Sequence, residues 1–189
     1  QALAVLDGLK ALDPATVLTA LRDLNPGVRE NAIRLAESFV TDPTIGQALL
    51  KLVNDGNPRV RQQLAFTLGN WGTADAAQAL GELSTQAGDD PWLRAAIVSS
   101  ALRRPDEILK VVLRPSTAPQ VRENFASPLL GTAVASDDPE VLENALIQAA
   151  PAGAETPERW QLAALSGLLD AMQRKSVELD SFRNSANTE

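Results

Sequence analysis

The sequence contains no cysteine, no histidine and no tyrosine. Without cysteine there are no disulfides, thiolate metal ligands or thiol nucleophiles, while the compartment is left open. The absence of histidine excludes more. It removes the usual general base near neutral pH, the imidazole metal ligands and every Ser/His or Cys/His arrangement. The missing tyrosines remove one more acid. Carboxylates, Lys, Arg, Ser and Thr remain, so no cofactor and no catalytic residue is expected. No apolar run approaches the roughly 20 residues needed to cross a bilayer, and membrane insertion is not expected. Acidic residues outnumber basic ones 24 to 17, for a net charge of −7. A phosphate backbone would be repelled, so the expected partner is protein and not nucleic acid.

What is present is ordinary for a globular chain: 44% hydrophobic and 22% charged residues over 189 positions, enough to bury a core or a row of small units sharing one. The pattern is already helical at the first residues, "LAVLDGLKAL", and a piece of something longer is expected.

A short phrase recurs. Aligned on proline, it reads Asn25-Pro26-x-Val28-Arg29, Asn57-Pro58-x-Val60-Arg61, Asp90-Pro91-x-Leu93-Arg94 and Pro119-x-Val121-Arg122. A fifth copy, Asp138-Pro139-x-Val141, has Leu142 in place of Arg. The proline intervals are 32, 33, 28 and 20 residues; the first three suit a helical repeat, and the last predicts degeneration or a cap. Asn or Asp before Pro starts a helix, because the side-chain oxygen accepts from a free amide and Pro fits the first turn. In the second copy Val60, Leu64, Ala65 and Leu68 share one face. The Arg three residues after Pro lies on the flank of that face, about 50° from its centre. There its stem can pack while the guanidinium reaches a neighbouring unit. Arg29, Arg61, Arg94 and Arg122 are therefore expected to staple stacked units, with Asp23, Asp55, Asp89 and Asp137 as candidate partners.

Further amphipathic segments, "PATVLTALRDL", "DPTIGQALLKLV", "DAAQALGELSTQ" and "DEILKVVL", lie between these helices, and nothing alternates with period two. The expected fold is all-α: an α-α superhelix, a solenoid of about five antiparallel helix pairs. It forms one helical-repeat domain over 1–183, departing from the pattern beyond about 105, with a tail at 184–189. The phrase and its period resemble HEAT repeats over about residues 2–150, with "ERWQLAALSGLLDAMQRK" as an additional helix. In such repeats the phrase opens the second helix of each pair. The run "NPGVRENAIRLAE…DGNPRVRQQLAFTLGNWG…DDPWLRAAIVSSA", with "WQLAALSGL" later, also resembles the HEAT segment of large extracytoplasmic bacterial proteins. In those proteins a membrane-bound-dehydrogenase-like β-propeller precedes the repeats and a c-type haem domain with a CxxCH motif follows. That resemblance implies a periplasmic or extracytoplasmic connector or docking module within a redox protein, not its haem-bearing part.

On the second-copy helix the face opposite the stripe holds Arg59, Gln62, Gln63, Phe66 and Asn70. Phe66 is either a binding contact or covered by a neighbouring helix. Trp71 and Phe39 turn back toward the core and are expected to pack, while Trp92 and Trp160 are expected to wedge between repeats. Residues 91–125 carry a net charge of +3, leaving −10 elsewhere. Arg94, Arg103, Arg104, Lys110 and Arg114 there form either a patch for an acidic partner or a solvated face with internal ion pairs. The pairs Asp89-Asp90 and Asp137-Asp138 read as helix caps, since neither turn offers the alternating oxygen ligands of a divalent-ion loop. Ser99-Ser100 has no adjacent base. The alternative to a non-catalytic scaffold is an enzyme on a HEAT-like frame, of the DNA-repair glycosylase type. Trp71, Trp92, Asp90 and Arg94 supply that family's residue types, but the acidic charge opposes it.

Overall fold

Prolines start most of the helices. Asp13, Asn25, Asp42, Asn57, Asp90 and Asp138 each stand in extended conformation before a first-turn Pro, and their side chains accept hydrogen bonds from otherwise free first-turn amides. A computed structural model of the chain describes residues 2–150 and 157–175; the tail expected at 184–189 lies outside them. After α1 (Ala2–Gly8), the helices run in antiparallel pairs: α2 (Pro14–Ala20) with α3 (Pro26–Ala36), α4 (Pro43–Leu50) with α5 (Pro58–Trp71), and α6 (Ala74–Gln86) with α7 (Pro91–Ser100). Then follow α8 (Pro105–Val112) with α9 (Pro119–Ala135), and α10 (Pro139–Ala149) with α11 (Arg159–Lys175). No strand occurs among the described residues.

Packing runs in two layers. The first-layer helices α2, α4, α6, α8 and α10 follow one another, as do the second-layer helices α3, α5, α7, α9 and α11. One continuous apolar core lies between them, with Val60, Leu64, Leu93 and Phe125 buried from the second layer and Ile45, Leu49, Ile108 and Leu109 from the first. Val28 packs against this core from a partly buried position, and Val121 is buried. Of the other aromatics, Phe39 and Trp71 are half-buried against it and Trp160 is buried. Trp92 is not a wedge. It is 72% exposed, because the second position of α7 turns away from both neighbouring repeats.

The layers also resolve the irregular repeat spacing. The fifth phrase opens α10, a first-layer helix, so the step from Pro119 to Pro139 crosses between layers and is not a shortened repeat. The next second-layer helix is α11, which starts without the phrase. An Asx-Pro cap specifies a helix start, not a layer. The discriminating position is three residues after Pro. First-layer helices place Val17, Ile108 and Leu142 there, all buried, and second-layer helices place Arg29, Arg61, Arg94 and Arg122, all partly buried.

Stacked helices touch through small residues. A Cβ built on Gly69 of α5 would lie 2.5 Å from the Ser100 Cβ of α7, and one on Gly81 of α6 would lie 2.5 Å from the Val111 Cβ of α8. Gly72 ends α5 in the left-handed region at φ 63°, where other residues are strained. Each cap contributes about 1 kcal/mol. Asp90 accepts from the amides of Trp92 (2.9 Å) and Leu93 (3.1 Å). Asp90→Ala is expected to cost about 1 kcal/mol in urea denaturation and Asp90→Asn far less; equal losses for the two would contradict the capping role.

Candidate protein-interaction face

The α3–α5 step is held by polar groups at both edges. At the turn edge, Arg29 donates from Nε to Asp55 Oδ2 (2.7 Å) and from Nη2 to Asp55 Oδ1 (2.9 Å), a bidentate pair across one repeat. Its Nη1 donates to the Asp23 and Leu24 carbonyls, 2.8 and 3.1 Å away. The Asp55 side chain is only 5% exposed. Burial works against its charge, but the Arg29 hydrogen bond, the Asn57 amide and the charges of Arg29 and Arg61 outweigh it. The carboxyl is held below the ordinary aspartate value.

The other phrase arginines repeat only parts of this geometry. Arg61 donates from Nη1 to the Asp55 carbonyl at 2.6 Å, matching the bond from Arg29 to the Asp23 carbonyl. It has no carboxylate at the matching place, because Gly88 stands three residues before Pro91 where Asp55 stands before Pro58, and its buried Nε has no hydrogen-bond partner among the described residues. Arg122 reaches Glu158 Oε2 at 3.7 Å, in the turn before α11. The Arg94 guanidinium has no polar partner among the described residues. Of the other aspartates named as partners, Asp23 contributes its carbonyl while its carboxylate accepts from the Asn25 amide. Asp137 pairs with Lys175 at the end of α11, and Asp89 is exposed.

At the solvent edge of the second layer, Glu37 follows α3 and spans to α5. Its Oε1 accepts from Thr67 Oγ1 at 2.7 Å and its Oε2 from Asn70 Nδ2 at 3.1 Å. Arg59 pairs with Glu30 of α3 at 3.4 Å, and Gln63 Nε2 donates to Thr67 Oγ1 at 3.4 Å. Within this braced surface Phe66 remains 43% exposed and Gln62 is half-buried beside it. Arg59, Gln62, Gln63, Phe66 and Asn70 thus share one face of α5. Sequence reasoning found the aromatic and its neighbours but missed Glu30 and Glu37, whose role depends on how two helices are juxtaposed.

The basic residues of 91–125 are dispersed over different tasks. Lys110 pairs with Glu107 at 2.7 Å. Arg104 Nε donates to the Gly72 carbonyl at 3.0 Å, and the Arg103 side chain packs over the same glycine. These two tie the end of α7 to the end of α5. Arg114 is exposed and Arg94 half-buried.

Two stacked layers of antiparallel helices with these inter-repeat polar links define an α-α superhelix of the helical-repeat class. Residues 14–103, which span α2 to α7, match the family model for HEAT repeats. HEAT repeats generally serve as protein-interaction scaffolds and are typically non-catalytic. Comparison with curated proteins gives no match. No described helix is long and apolar enough to cross a membrane.

Proposed function

We propose that the chain is a non-catalytic protein-interaction module that docks a protein, either flanking domains of its own chain or a separate partner, on the second-layer face around Phe66. The observation that carries this reading is an aromatic side chain left 43% exposed on a face where Glu37 holds Asn70 and Thr67 and Glu30 pairs with Arg59. Such a surface loses little side-chain entropy on binding, and a preorganised aromatic is a common anchor. The resemblance to the repeat segment between a propeller and a haem domain supports a place as connector in an extracytoplasmic redox protein. A semi-rigid stack suits that task, since each unit contacts only its neighbours.

The test is a photo-crosslinker, benzoylphenylalanine, placed at position 66 and, as control, at exposed Glu143 of first-layer helix α10. Crosslinking at 66 to one protein identified by mass spectrometry, with none at 143, is expected. Crosslinking at 143 alone, or at neither position, would refute the assigned face. Phe66→Ala removes a side chain that is more than half buried and is expected to cost about 1–1.5 kcal/mol, too little to unfold the stack, and urea denaturation of the variant separates lost binding from lost folding.

A further inference from the structure

The two flanks of α6 differ. Toward α8 the helices are in contact through Gly81 and Val111. Toward α4 they stand apart, leaving two contiguous hollows of about 230 Å³ each that share Leu50 and Asp75. α4 also differs from its first-layer neighbours at the register position three residues after the helix-starting proline. Where α2, α8 and α10 carry Val17, Ile108 and Leu142, α4 carries Gly46, and the indole of Trp71 lies against it. A Cβ on Gly46 would lie 3.2 Å from Trp71 Cζ2. Trp71, half-buried at the end of α5, thereby lines a first-layer groove instead of being sealed beneath a larger side chain.

The groove is amphipathic. Leu50, Val53 and Ala79 contribute apolar walls. The charged residues lining it are Asp75 and Glu82, and among the described residues no cationic side chain lines either hollow. Being seven positions apart on α6, the two carboxylates share one face about 10 Å apart. That span matches about three residues of extended chain.

We propose that this groove binds an extended segment of a partner protein in which an arginine or lysine stands beside an apolar residue. The proposal rests on reading the chain as an interaction module, but uses the first layer and not the face around Phe66. The cation would sit at the end where Trp71 and Asp75 meet, since an indole and a carboxylate both attract it. The apolar neighbour would cover Leu50 and Val53, and a second cation would reach Glu82. The chain's net charge of −7 favours the encounter with a basic segment and repels an acidic one.

The test uses the whole chain and the peptides acetyl-Leu-Arg-Leu-Arg-amide and acetyl-Leu-Glu-Leu-Glu-amide. The indole N–H signals of Trp71, Trp92 and Trp160 are followed by NMR, with Trp71→Phe assigning the first. The arginine peptide is expected to shift the Trp71 signal with millimolar affinity and leave the other two in place, while the glutamate peptide shifts none. The double variant Asp75→Asn, Glu82→Gln, both at solvent-accessible positions, is expected to weaken binding at least about tenfold, a difference of about 1.4 kcal/mol. No Trp71 shift in the millimolar range, equal binding by the double variant, or equal binding by ethylguanidinium alone would overturn the proposal, the last by indicating a small-cation site. Phe66→Ala is expected to leave peptide binding unchanged, so this groove and the Phe66 face can fail separately.

Discussion

Asp55→Ala is expected to destabilise the chain by about 2–4 kcal/mol, the largest loss of any single turn carboxylate. The substitution removes the acceptor of two Arg29 bonds, at 2.7 and 2.9 Å, and of the Asn57 amide at 2.9 Å. It strands a guanidinium whose side chain is only 17% exposed, leaving it the carbonyls of Asp23 and Leu24. Removing one partner of a fully buried pair costs about 3–5 kcal/mol, and the residual exposure of Arg29 places this pair somewhat lower. Asp55→Asn retains an acceptor for the Asn57 amide and loses the charge, so a smaller loss is expected. Urea denaturation of the three proteins checks the order; a loss below about 1 kcal/mol for Asp55→Ala would mean that the inter-repeat pair does not hold the stack.

The same pair fixes the sign of an acid dependence. The Asp55 carboxyl titrates below its ordinary value of 3.8 in the folded chain. A carboxylate with a lowered folded-state value binds protons more readily when unfolded, so its stabilisation is fully present above the unfolded value. It is lost as pH falls through the folded value. The stability gap between the native protein and Asp55→Asn should therefore be constant above about pH 5 and shrink below about pH 4. A gap that widened on acidification would contradict the assigned direction.

Gly81→Val is expected to cost about 3 kcal/mol, at the upper end for overpacking, because even the first added carbon would lie 2.5 Å from Val111 Cβ. Gly81→Ala separates two opposing effects. Alanine gains about 1 kcal/mol in helix propensity over glycine, so an exposed glycine would be stabilised by the change. Here the atoms that meet the new methyl all belong to the Val111 side chain, and a net loss is expected. The pair Gly81→Ala, Val111→Gly removes the clash and should be less destabilised than the sum of its single changes, with a coupling of about 1 kcal/mol or more. Strict additivity in calorimetric melting would show that α6 and α8 separate freely.

The repeat phrase revealed the fold because each part acts locally. Asn57 caps its own helix, Pro58 fits the first turn, and Val60, Leu64 and Leu68 face one way by the pitch of the helix alone. For seven of the eight proline-started helices the layer was also written in the sequence, as Arg or a large apolar residue three positions after proline, but Gly46 in α4 fits neither pattern and the fifth phrase obscured the rule. Asp138-Pro139 caps as well as Asn57-Pro58 does, and only the buried Leu142 in place of Arg marks a first-layer helix. The arginines were legible as reaching outward and Asp55 as a candidate partner, but which arginine would find a carboxylate was not. Asp55 serves Arg29 because the next turn presents it, while Gly88 presents nothing to Arg61.

By itself, the sequence determined the helical class, the caps, the apolar stripe and the exclusion of His- and Cys-based chemistry, since these depend on composition or on residues within a turn of one another. Only the tertiary structure decided that Glu37 braces Thr67 and Asn70, that Phe66 stays open while Trp92 turns to solvent, and that Gly46 admits Trp71 to a groove carrying Asp75 and Glu82. Those outcomes depend on the distance and rotation between separate helices, which are set by the fit of side chains across the stack and have no period along the chain.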